Sequence, residues 1–157
     1  MNLKEKLAKL TEINEERSAR NDKNIWIREV RNLYDDIEKW FDEYVEQGYM
    51  TFEYHQLDDA ECEDFLLETS IMELNIGNGP TVVLEPFGIN IIGAFGKIDM
   101  YFRGHKDEEV LLLLIESADE QFHWELWKNR KQEEKILFNK DSYEKLLDTW
   151  LEKWTEV

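Results

Sequence analysis

Leu3, Leu7, Leu10 and Ile13 recur at steps of three and four with Lys and Glu between them, which predicts a first helix with one apolar face. After Arg20-Asn21-Asp22-Lys23-Asn24, a source of capping Asx side chains, a stronger stripe begins: Trp26, Val30, Leu33, Ile37, Trp40 or Phe41, and Tyr44. Gly48 is the expected C-terminal stop of that second helix. The stripe is expected to pack against the first helix and a sheet. Its regular four-three steps also suit a helix pair with a second copy, and hence a homodimer.

From Tyr49 the period falls to two. Met50, Phe52 and Tyr54 alternate with Thr51, Glu53 and His55, the pattern of a half-buried strand. Met72, Leu74 and Ile76 alternate in the same way, and Gly77-Asn78-Gly79-Pro80 supplies a hairpin turn into Thr81-Val82-Val83-Leu84. Pro86 and Gly88 are read as the end of that strand. Further strands follow around Ile98, Met100 and Phe102, at His123 to Lys128 and at Lys135 to Phe138. The unbroken run Val110 to Ile115 suits a central strand covered on both faces. Asp141-Ser142-Tyr143-Glu144 has the form of a capping box, and it opens a terminal helix whose buried stripe is Tyr143, Leu146, Leu147, Trp150, Leu151 and Trp154.

The expected fold class is therefore α+β: an N-terminal pair of helices, an antiparallel meander sheet of about six strands, and a C-terminal helix. A single domain over residues 1–157 is expected, with a helical part at 1–47, the sheet at 48–139 and the last helix at 141–155. Six Trp and 42% hydrophobic residues supply enough core to fold without disulfides or metal. The lone Cys62 excludes an internal disulfide and a Cys-based zinc site. No apolar run approaches membrane-spanning length and residues 1–6 lack the apolar core of a signal peptide, so a cytoplasmic protein without membrane partners is expected.

Charge changes this picture most. The net charge is −17, and the segment from Asp35 to Glu73 holds fourteen acids against one base, Lys39. Residues 1–34 sum to +2 and residues 74–157 to −6, so one quarter of the chain carries most of the excess. Such a field repels phosphate backbones and attracts basic partners. The expected partner-binding face comprises Asp35, Asp36, Glu38, Asp42, Glu43 and Glu46 on the second helix, continued by Asp58, Asp59, Glu61, Glu63 and Asp64 in the connection after the first strand. Alternation along His123-Trp124-Glu125-Leu126-Trp127 turns Trp127 away from Trp124 and Leu126, which marks Trp127 as a candidate interface aromatic.

Catalytic patterns are few. Gly96-Lys97-Ile98-Asp99, a hairpin, and Leu113-Leu114-Ile115-Glu116-Ser117-Ala118 together resemble the core of the PD-(D/E)xK nuclease family. The resemblance covers residues 96–118 and implies Asp99 and Glu116 as ligands for a divalent metal that positions water. Ala118 stands where the family has its lysine, which implies an inactive relative. The run Asp58 to Asp64 lacks the spacing and glycine of an EF-hand loop. His55 with Glu53, and His123 with Glu125, share strand faces but have no accompanying nucleophile. No cofactor and no catalytic residue is expected, and the chain is not expected to be an enzyme.

These readings converge on an acidic protein-binding module: an inhibitory or immunity-type protein, or an accessory subunit of a bacterial defence or toxin system, acting on a basic protein. An alternative is a phage-type DNA mimic whose carboxylates stand in for phosphates on a nucleic-acid-binding enzyme. A degenerate nuclease-like domain is a third reading. Direct nucleic-acid binding is disfavoured.

Overall fold

The computed structural model describes residues 2–19, 22–56, 69–91, 94–118, 121–128 and 135–155, without the side chains of residues 13–19, 90, 91, 154 and 155. Helix α1 spans Leu3–Ala19. Asn2 and Glu5 cap it reciprocally: Asn2 Oδ1 accepts the Glu5 N–H at 2.9 Å and Glu5 Oε2 accepts the Asn2 N–H at 3.3 Å. Contrary to the sequence expectation, the α1 stripe is not packed, because Leu3, Leu7 and Leu10 all lie exposed.

Helix α2, Asp22–Trp40, buries Trp26, Val30, Leu33 and Ile37 in the main core. The stripe thus packs within the chain, on the sheet as expected, and is covered there by the chain's own core. The helix breaks at Phe41, whose fully buried ring packs on Tyr44 and Tyr143. A short α3, Asp42–Glu46, follows, and Gly48 then turns the chain through a positive φ of 80° that only glycine adopts cheaply.

The sheet has seven strands rather than about six, in plain meander order and antiparallel throughout: β1 Met50–Gln56, β2 Ser70–Ile76, β3 Thr81–Ile91, β4 Ala94–Phe102, β5 Val110–Ala118, β6 Gln121–Trp127 and β7 Lys135–Leu137. Strand β3 does not end at Pro86. It continues through a register shift between Pro86, opposite Ile98, and Gly88, opposite Lys97, so that Phe87 is the extra residue of a bulge. A bulge is where a strand tolerates a proline without a lost ladder hydrogen bond.

One sheet face forms the core. Met72, Leu74, Val82, Leu84, Ile98, Met100, Leu112, Leu114 and Leu126 are buried beneath α2 and the terminal helix α4, Lys140–Thr155. Trp26 meets Trp124 at 5.9 Å between ring centroids, and Phe102 meets Trp150 at 4.8 Å. Alternation sends Glu53, His55, Glu73, Lys97, Asp99, Tyr101, His123, Glu125 and Trp127 to the other face. On β5 the expected double cover reaches Leu113 but not Leu111 and Ile115, which are half-buried.

The cap of α4 differs from the expectation by two residues. Asn139 Oδ1 accepts the Ser142 N–H, and Ser142 Oγ accepts the Asn139 N–H, both at 2.9 Å. Asn139 is therefore the N-cap, and Asp141 lies inside the first turn.

Candidate functional site

The geometry of α2 separates its two roles. With the stripe from Trp26 to Ile37 turned to the sheet, Asp35 and Asp36 are exposed on the outer side and Glu38 is half-buried at the boundary. The break at Phe41 then restarts the helix so that Asp42, Glu43 and Glu46 are exposed as well. Asp35, Asp36, Asp42, Glu43 and Glu46 form no ion pair with any described residue, and Lys39 is the only base between Asp35 and Glu46. Their field is therefore uncompensated locally. The remaining predicted acids, Asp58, Asp59, Glu61, Glu63 and Asp64, lie outside the described residues.

Beside this face, between α2 and the start of β2, lies a cleft of about 330 Å³ lined by Val30, Arg31, Tyr34, Asp35, Glu38 and Tyr54, with Thr69 and Ser70 at its end. The Tyr34 hydroxyl donates to the Ser70 carbonyl at 2.6 Å, which fixes its ring, and the Tyr54 ring lies 5.8 Å away at 43°. Burial, and then the neighbouring Tyr54, push the Tyr34 hydroxyl well above the usual phenol range. Burial also raises Tyr54, followed by its hydrogen bond to Glu38 and the Glu38 and Asp35 charges. Both phenols therefore stay neutral at physiological pH. The cleft thus carries two carboxylates, Asp35 and Glu38, one base, Arg31, and the exposed ring of Tyr54 lying over the buried Tyr34.

Trp127 is half-buried, and its indole Nε1 donates to Glu125 Oε1 at 3.2 Å. His123 Nε2 donates to Glu125 Oε2 at 2.8 Å, as the shared strand face implied. Burial works to raise the Glu125 carboxyl, but the His123 and Trp127 hydrogen bonds and the Lys135 charge bring it below its ordinary value.

The nuclease-like pair is not brought together. Asp99 is buried on the charged face opposite Leu111, with Lys97 Nζ 3.3 Å from its Oδ1. Glu116 lies five residues further along β5 than Leu111, an odd step that places it on the other face of the sheet, about 16 Å along the strand. Two carboxylates so arranged cannot hold one cation.

Sequence reading found only the His55–Glu53 part of a third cluster. The β1–β2 register sets Glu53 directly across from Glu73, with His55 two residues along β1 from Glu53, on the same face and diagonal to Glu73. His55 Nε2 is 3.1 Å from Glu73 Oε2 and 3.8 Å from Glu53 Oε2, while Arg103, beyond the end of β4, pairs with Glu73 Oε1. Burial tends to raise the Glu73 carboxyl, but the hydrogen bond and charge of Arg103, helped by His55, hold it below its ordinary value. No local signal in the chain adds Glu73 and Arg103 to it, because they join through register, and Arg103 is thirty positions from Glu73.

Comparison with protein-family models, with curated proteins and with solved structures finds no match to this chain. No helix among the described residues is long and apolar enough to cross a membrane.

Proposed function

We propose that this chain is an acidic protein-binding module of inhibitory or immunity type, or an accessory subunit of a bacterial defence or toxin system, that engages a basic protein in the cytoplasm. The observation that carries the reading is the row of exposed carboxylates on α2 and α3, unpaired among the described residues, beside a tyrosine-lined cleft. The row attracts a basic surface at long range, and the cleft takes one of its Lys or Arg side chains as an anchor. No catalytic step is part of this reading.

The test is capture of the proteins encoded beside its gene, at about 0.1 M and about 1 M salt, across which the screening length falls from about 10 Å to about 3 Å. A complex that forms at low salt, weakens at high salt and is lost when Asp42, Glu43 and Glu46 are all replaced by Lys supports the proposal. A complex indifferent to both changes, or none with any neighbour, sinks it. Displacement of the partner by duplex DNA would redirect the reading to the DNA-mimic alternative, in which the same carboxylates occupy a nucleic-acid groove.

A further inference from the structure

We propose that Glu53, His55 and Glu73 form a binding site for a divalent transition-metal ion of zinc type on the charged face of the β1–β2 pair. The three donor atoms, one from each side chain, lie within 4.8 Å of one another. Tetrahedral zinc with bonds of about 2.0–2.1 Å sets its donors about 3.3 Å apart. His55 Nε2 stands 3.1 Å from Glu73 Oε2 and 3.8 Å from Glu53 Oε2, and no pair exceeds 4.8 Å, so the site closes with shifts of at most about 1.5 Å, taken up by the exposed Glu53 and His55 side chains.

The backbone supports this placement. Glu53 and Glu73 are direct cross-strand partners, so two carboxylates face each other, an arrangement that is unfavourable unless a cation joins them. Arg103 supplies part of that compensation, but it takes Glu73 Oε1 and leaves Oε2 directed at His55. In that position Arg103 acts as an outer partner that orients the carboxylate, and its charge lowers affinity without occupying the donor. Glu73 is mostly buried while Glu53 and His55 are about half exposed, so the site has one fixed ligand, two adjustable ones and an open coordination position for water.

The donor set selects the ion. One imidazole with two carboxylates suits Zn²⁺ and its first-row neighbours, whereas Ca²⁺ requires six to eight oxygens and Mg²⁺ keeps most of its water. The site does not overlap the α2–α3 acids or the tyrosine cleft, so its fate is independent of the protein-binding proposal.

The experiment is calorimetric titration of tag-free, chelator-treated protein with ZnCl₂ in a non-coordinating buffer, with proton NMR of the imidazoles followed in parallel. One ion per chain at micromolar affinity is expected, with the His55 ring signals moving and those of His105 and His123 unchanged. His55→Gln and Glu73→Gln should each weaken binding about tenfold or more, while His123→Gln and Cys62→Ser leave it intact. MgCl₂ and CaCl₂ at equal concentration should give no saturable site. Absence of a saturable Zn²⁺ isotherm, unmoved His55 signals in the wild type, or an isotherm that His55→Gln leaves unchanged would each overturn the proposal.

Discussion

Gly96 lies on β4 directly beneath Trp26, and replacing it with alanine tests the tightest contact in the core. A Cβ built on Gly96 would meet Trp26 Cε3 at 2.6 Å, Cζ3 closer still, and the Gly88 carbonyl oxygen at 2.9 Å, where carbon–carbon contacts normally settle at about 3.5–4.0 Å. Neither neighbour is free to withdraw. Trp26 is fully buried with Trp124 behind it, and Gly88 belongs to the bulged backbone of β3. Strand β4 cannot step back either, being paired at Gly96 with Ile89 on one side and Leu114 on the other. Because Gly96 is not in the left-handed region, alanine there carries no backbone strain and would on entropic grounds stabilise by about 0.4–1 kcal/mol. Overpacking opposes that gain with about 1–3 kcal/mol, and these overlaps place the site at the upper end, so a net loss of about 2 kcal/mol is expected. For a chain of 157 residues this corresponds to a fall in Tm of about 4–8 °C. Thermal and urea unfolding followed by circular dichroism measure it, with Trp26→Leu and the double variant completing a cycle. The double variant should be about 1 kcal/mol or more better than the sum of the single losses. Unchanged or raised stability in Gly96→Ala, or strict additivity in the cycle, would refute the reasoning.

Tyr34→Phe removes the hydroxyl that joins α2 to Ser70 and should cost about 1 kcal/mol in urea unfolding while leaving the ring of the cleft in place. Asn139→Ala breaks the reciprocal cap of α4 and should cost about 0.5–2 kcal/mol, whereas Asp141→Ala, at the position the sequence pattern favours, should cost less. Because the folded-state pKa of Glu125 is lowered, its contribution is present above the unfolded value and disappears as pH falls through the folded one. Glu125→Gln should therefore lower stability by a near-constant amount in the neutral region and by progressively less below about pH 4.5, flattening the acid side of the stability–pH profile, as thermal melts from pH 3 to 7 would show. Asp42→Asn with Glu46→Gln removes a like-charge i,i+4 pair and should raise stability by about 0.2–0.5 kcal/mol in low-salt urea unfolding. A fall in stability would show that these side chains support the fold.

The elements with strict periodicity were legible in the chain. Alternation from Met50 to Tyr54 and from Met72 to Ile76 reports a sheet with one buried face, and the stripe from Trp26 to Ile37 reports the helix that covers it. Proline and glycine misled at Pro86 and Gly88, because a bulge absorbs there the residues that would otherwise end a strand. Leu3, Leu7 and Leu10 show a different limit: periodicity specifies which residues share a face, but not whether anything covers it. The carboxylates from Asp35 to Glu46 were legible because an amphipathic helix fixes their direction once its apolar side is known. The cluster of His55, Glu73 and Arg103 was not, since four strands, β1 to β4, must first be set in register.

Helix α4 shows how this chain treats a surface helix when stability sets the pattern. Lys145 pairs with Asp141 at 3.0 Å and Lys140 approaches Glu144 at 4.0 Å, both at i,i+4, while Lys153 reaches Glu108 at 3.0 Å. The outer side of α2 and α3 has the same exposure and the same demand only for polarity, yet it carries Asp35, Asp36, Asp42, Glu43 and Glu46 with Lys39 alone among them. Nothing in the packing of Ile37, Phe41 or Tyr143 beneath requires that choice. Like charges at this density lower the stability of the free protein, and they do so on helices whose opposite side is packed into the core. The proposed binding role accounts for a surface that opposes folding where neutral polar residues would serve equally well, since carboxylates of one sign suit a basic partner.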